Sequence, residues 1–138
     1  MRVESLDHIH VYCGDPEASA AFYTRHFEAS EVLRNDNLQS EIRIFLALGG
    51  QLLVLGPLPA GHEPAAALEP GDGAYRNGFG VAHIGLNVAN VDSAVAELSA
   101  AGVAILSEPA TEPSGLRFAY VAAPDGVVLE LTEYVSAT

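Results

Sequence analysis

The chain has 138 residues, the size of one ordinary domain, and 49% of them are apolar, enough to bury a core and to exclude wholesale disorder. Eighteen acidic residues against six Lys plus Arg give a net charge of −12, which argues against nucleic acid or anionic membrane as a partner, since phosphate binding is mostly electrostatic. The lone cysteine, Cys13, rules out an intrachain disulfide framework, no apolar run is long enough to cross a bilayer, and the start MRVESLDHIHVY lacks the pattern of a leader, so a cytoplasmic protein is expected.

Residues 3–13 alternate as a strand does, with His8, His10 and Tyr12 on one face and Ile9, Val11 and Cys13 on the other. Asp15-Pro16-Glu17 is a helix start, because Asp accepts backbone N–H bonds and proline suits the first helical position; the helix runs to about residue 27. Strands follow at 30–36 and 40–48, and Gly49-Gly50 turns into another at 51–55. A Pro/Gly/Ala-rich connection occupies about 57–79; it is either a plain linker or a segment bordering a pocket through Tyr75, Arg76 and Phe79. A strand at 80–88 sets His83 and Gly85 on the face opposite Ala82, Ile84 and Leu86. The helix that starts at Asn90 is ended by Gly102, and strands follow near 103–107 and 115–122. Pro124-Asp125-Gly126 is a tight turn into the last strand, 127–134, where Val128, Glu130 and Thr132 oppose Val127, Leu129 and Leu131. A hairpin centred on Asp125 sets Tyr120 directly opposite Glu130, with Cβ atoms about 5 Å apart. Ile9, Val11, Ile84, Leu86, Leu129 and Leu131 are the expected core, and Cys13 is expected to be a small buried hydrophobe on the same side.

The chain repeats itself. In 7-DHIHVYCGDPEASAAFY-23 and 82-AHIGLNVANVDSAVAEL-98, His8 meets His83 at an offset of 75, Ile9 meets Ile84, and Asp15 meets Asn90. The stretch 49-GGQLLVL-55 matches 125-DGVVLEL-131 at an offset of 76, which sets Val54 against Glu130. The order is βαβββ twice. That pattern predicts an α+β fold, a single domain of two tandem βαβββ modules at about 1–56 and 80–135, forming a cupped mixed sheet with the helices outside.

Two neutral imidazoles and a carboxylate make a facial ligand set for one divalent ion, whether Fe, Mn, Zn, Ni or Co. A strand histidine taken alone is ordinarily structural or solvent-facing, which is the expectation for His26 and His62. Repetition sets His8 and His83 apart, and Glu130 closes the second module on the matching strand. His10 shares the His8 face and is either an acid–base or supporting donor, or a packed structural histidine. Arg117, by strand parity, falls on the face opposite Tyr120.

DHIHV with its capped helix and Phe22-Tyr23, AHIGLNV, and above all YVAAPDGVVLEL resemble the vicinal oxygen chelate superfamily. Its members include glyoxalase I, methylmalonyl-CoA epimerase, extradiol dioxygenases, fosfomycin-resistance transferases and bleomycin-binding proteins. The resemblance implies a cupped sheet around one metal held by His8, His83 and Glu130, a small-molecule substrate and a homodimer. Glyoxalase I and the epimerase add a fourth Glu or Gln ligand. The aligned position here holds Val54, or Leu53 if the turn is read one residue differently; neither binds metal, and Gln51 is out of register. The remaining His-His-Glu set resembles the ring-cleaving dioxygenases and the fosfomycin transferases, and Tyr120 matches a site tyrosine of both. The threonine, lysine and arginine of the fosfomycin type are missing, with His10 standing in the threonine's place. The expectation is a metal-dependent enzyme closest to a three-ligand dioxygenase, with Tyr120 and His10 as its candidate catalytic residues. The alternatives are a glyoxalase-type lyase or isomerase and a non-catalytic drug- or metabolite-binding protein.

Overall fold

The computed structural model describes residues 1–70 and 80–134, so Tyr75, Arg76 and Phe79 lie outside the described residues. The chain divides into two units, Met1–Ala65 and Ala66–Thr138, and each contains one α helix and one four-stranded mixed sheet.

In the first unit the elements are β1 (His8–Cys13), α1 (Pro16–Phe27), β2 (Ser30–Asp36), β3 (Ile42–Leu48) and β4 (Gln51–Pro57). The strands lie in the order β1-β4-β3-β2, with β1 parallel to β4 and the other pairs antiparallel. Asp15 Oδ1 accepts the Ala18 N–H at 3.2 Å and Pro16 opens the helix. Gly49 and Gly50, at φ 56 and 83, make the two-residue hairpin between β3 and β4, a conformation that residues with a Cβ adopt only at a cost. β1 begins at His8 rather than at residue 3; in its register residues 3–6 would fall opposite 47–50, before β4 begins at Gln51. The Gln51 amide instead donates to the carbonyls of Leu6 and Asp7 at 3.1 Å.

The second unit repeats the plan with β5 (Ile84–Asn87), α2 (Val91–Ala100), β6 (Ile105–Thr111), β7 (Leu116–Ala122) and β8 (Val128–Tyr134), in the order β5-β8-β7-β6. Asn90 Oδ1 accepts the Ser93 N–H at 2.8 Å, and the Glu133 carboxylate reaches from β8 to accept the Val91 N–H at 2.8 Å. Both satisfy donors that a helix start leaves open. The β6 strand runs on through Pro109, beyond the expected end near 107. It is an edge strand, where a missing N–H costs the sheet little.

One face of each sheet lies under its helix. Ile44, Leu46, Leu55 and Cys13 are fully buried beneath α1; Val121, Leu129 and Leu131 are fully buried beneath α2. Removing a leucine side chain from water in this way contributes about 1.5–3 kcal/mol. Ile9, Val11, Ile84 and Leu86 point to the same faces but are only half-buried. They sit on the edge strands β1 and β5, whereas α1 lies chiefly over β3 and β4, and α2 over β6 and β7. The Arg117 guanidinium grips Asp92 at the start of α2 with two bonds of 2.6 and 2.7 Å, so it belongs to the helix side, as parity predicts. That pairing also holds the Asp92 carboxyl below the usual carboxylate range.

Candidate functional site

The opposite face of each sheet carries the polar residues singled out by the repeat. In the second unit, Gly85 pairs with Glu130 across β5 and β8, and Tyr120 pairs with Glu130 across β7 and β8. Directly paired residues point to one side, so Glu130, Tyr120 and the open position at Gly85 share a face. His83 lies one residue ahead of β5 rather than inside the strand expected at 80–88. Its ring still joins that face. His83 Nε2 stands 2.5 Å from Glu130 Oε2, and its ring centroid is 5.4 Å from that of Tyr120. The Glu130 side chain keeps 13% of its exposure and His83 32%, so the pair is partly withdrawn from water while one side stays reachable. Around Tyr120 the floor is apolar, formed by Leu106, Val128, Ala122 and Leu68. Leu106 alternates with Ile105, which pairs with Val121 on the helix side, so it falls on the Tyr120 face.

In the first unit, His8 Nδ1 lies 2.7 Å from an oxygen of Asp7. A carboxylate only accepts, so Nδ1 carries a proton, and in the neutral tautomer this leaves Nε2 as a lone pair, the arrangement that orients a metal-binding histidine. Asp7 is a residue that sequence reasoning missed; its adjacency to His8 in D-H-I-H was the available signal. The register settles the choice between Val54 and Leu53. Ile9 pairs with Leu53 as Ile84 pairs with Leu129, so Val54, paired with His10, is the counterpart of Glu130, paired with Gly85. Val54 is buried and apolar, and Gln51 is turned to the backbone of Leu6 and Asp7. The first unit therefore has no carboxylate or amide ligand at the position where the second has Glu130.

His10 packs on Gly56 and against Tyr12, with ring centroids 5.2 Å apart. Burial, then the neighbouring His8, then Arg43 hold its imidazole below the usual histidine range, so it is neutral near pH 7. A Cβ at Gly56 would stand 2.8 Å from His10 Nε2. Gly56→Ala is thus expected to push the imidazole aside while stability stays within about 1 kcal/mol of the parent, because the obstructing atom ends a movable side chain. Urea denaturation together with the His10 ring resonances checks this; unshifted resonances would refute it. Gly56 was not singled out from the sequence, although a glycine inside a strand is itself a sign of close approach.

The described residues hold no cluster of three metal-ligating side chains. His83 and Glu130 are brought together, with Tyr120 beside them, while His8 stands with Asp7 and His10 in the first unit. A model of the Glyoxalase/Bleomycin resistance protein/Dioxygenase superfamily matches residues 5–131. The chain belongs to this superfamily. YwkD of Bacillus subtilis (strain 168) is 30% identical over 138 residues, covering 96% of this chain and 99% of its own. The superfamily fold recurs in a glyoxalase family protein from Enterococcus faecalis (TM-score 0.75, 20% identity, 96% of this chain and 100% of that one). It recurs as well in the fosfomycin resistance protein FosX from Listeria monocytogenes, in its complex with Mn(II) and sulfate (TM-score 0.67, 19% identity, 97% and 95%). At these identities the structural likeness speaks for the fold alone.

Proposed function

We propose that this protein is a metal-dependent enzyme acting on a small molecule that presents two adjacent oxygens, with His8, His83 and Glu130 as its ligand set. The observation that carries the reading is the 2.5 Å approach of His83 Nε2 to Glu130 Oε2, with Tyr120 paired directly across from Glu130. One imidazole nitrogen and one carboxylate oxygen on a partly dry face suit a borderline divalent ion; within the first unit, Asp7 orients the His8 ring as a donor of the same kind. When bound, such an ion polarises substrate oxygens as a Lewis acid. The Mn(II) in the FosX neighbour supports a divalent ion of that class.

Val54 at the counterpart of Glu130 limits the set to three, which favours the ring-cleaving dioxygenase type over the four-ligand glyoxalase type. In that chemistry both atoms of O₂ enter the product as a carbon–carbon bond breaks, and no other co-reactant is needed. The Tyr120 phenol is placed to hold or move a proton at a substrate oxygen, and the Leu106/Val128 floor beside it keeps water out. The test is turnover of catechols and 2-oxo acids by reconstituted protein, with and without oxygen. Consumption of one O₂ per substrate is the expected result. Undiminished turnover under anaerobic conditions would overturn the dioxygenase assignment in favour of a lyase or isomerase. Saturable binding without turnover would overturn the enzyme reading in favour of a binding protein.

A further inference from the structure

All six cationic side chains of this chain are arginines, set among eighteen carboxylates. Arg2 meets Glu4, Arg34 meets Glu17 and Glu31, and Arg117 meets Asp92. Arg25 is exposed in the last turn of α1, where a cation complements the helix dipole. Arg43 differs from all of these. It is half-buried on β3, and among the described residues no carboxylate pairs with it. Its polar partner is neutral: Arg43 Nε donates to Asn35 Oδ1 at 3.0 Å. Its Cζ stands 5.7 Å from the centre of the Phe45 ring, a placement that steadies the planar guanidinium.

The pairing sets Arg43 on the face that carries His10. Phe45 pairs with Val54, which pairs with His10, and Arg43 lies two residues before Phe45 on the same side of β3. Gly56, which pairs with Tyr12, lies between: a Cβ there would meet His10 Nε2 at 2.8 Å and Arg43 Cγ at 3.8 Å. Because Nε is taken by Asn35, both Nη groups remain as a two-pronged donor, the geometry that fits an oxyanion. Partly burying a cation beside a neutral amide is unfavourable unless something negative completes it. In a chain of net charge −12, that no carboxylate among the described residues pairs with Arg43 leaves the role open to a ligand.

We propose that Arg43, held by Asn35 and Phe45 beside His10, Tyr12 and Gly56, binds an anionic group of the substrate, a carboxylate or a phosphate. This deepens the metal-enzyme reading by naming the substrate class, but the anion contact itself requires no metal. The experiment uses the full chain, ¹⁵N-labelled and stripped of metal, titrated separately with acetate and with inorganic phosphate against chloride at equal ionic strength. The Arg43 Nε–H signal and the amides of His10, Asn35 and Gly56 are expected to shift saturably with at least one anion, and the tighter one identifies the group. Arg43→Met should weaken that binding by at least about tenfold, as loss of a charged hydrogen-bond pair does. Arg43→Lys should retain part of it, and Arg25→Met should leave it intact. Shifts no larger than those from chloride, or equal shifts in Arg43→Met with the fold preserved in the same spectrum, would overturn the proposal. Repeating the titration on Zn(II)-loaded protein separates the two readings. Anion binding that needs zinc and survives Arg43→Met overturns the role of Arg43 alone. A protein that takes up no divalent ion yet binds the anion through Arg43 overturns the metal reading and leaves this one standing.

Discussion

His83→Ala is expected to weaken divalent-metal binding by more than about 100-fold, beyond the 10–100-fold typical of losing an outer partner of a ligand. Without its imidazole, the face at Gly85 and Tyr120 keeps one carboxylate, and a single carboxylate holds transition metals poorly. Glu130→Gln keeps the volume and a hydrogen bond to His83 but removes the charge, so it should fall in the same range. Asp7→Ala acts one step out, through the 2.7 Å contact that fixes the His8 tautomer, and should cost about 10–100-fold. Both side chains are off the helix-packed faces, and thermal unfolding of the stripped variants should stay close to that of the parent. Elemental analysis after equilibrium dialysis against Mn, Fe, Co, Ni and Zn reads the result. Equal metal content in His83→Ala and the parent would sink the ligand assignment, and a graded loss at Asp7→Ala would separate His8 as ligand from His8 as bystander.

The two-module plan was legible because both halves use the same short-range rules: period-two strands, an Asp or Asn cap, and a glycine-marked turn. The hairpin at Asp125 carried the Tyr120–Glu130 pairing, since a tight turn sets its own register. The one-residue difference between the repeat offsets reappears as the shift between the β1–β4 and β5–β8 registers, and it makes Val54 the counterpart of Glu130. What escaped depends on partners distant in sequence. The start of β1 is bounded by the start of its partner β4. The half-burial of Ile9, Val11, Ile84 and Leu86 follows from which strands each helix covers, and alternation carries no information on that. Arg43 and Asn35 are eight residues apart on different strands, and Gly56 meets His10 from 46 positions away, so their association exists only once β2, β3, β4 and β1 are aligned.

Tyr120→Phe should leave metal content unchanged and slow turnover by about 10²–10⁴-fold, the range for a positioned proton-transfer group. The ring is expected to stay in place. It packs against His83 at 5.4 Å and Phe118 at 5.7 Å and rests on Leu106 and Val128, and none of these contacts uses the hydroxyl. The backbone is fixed independently, with the Tyr120 N–H donating to Ser107 Oγ at 3.0 Å. Removing one oxygen therefore isolates the phenol from the packing, which a change to alanine would not. If the phenol protonates or orients a substrate oxygen, the loss falls mainly on kcat, and the pH–rate profile loses the limb that this group supplies. If it only helps to bind the substrate, KM rises and kcat holds. In a binding protein the substitution would alter affinity alone, by the roughly 0.5–1.5 kcal/mol of one hydrogen bond. Unchanged kcat with intact metal content would remove Tyr120 from the chemistry. His10, packed on Gly56 with its pKa held below the usual histidine range, would then be the next acid–base group to test, by His10→Gln under the same assay.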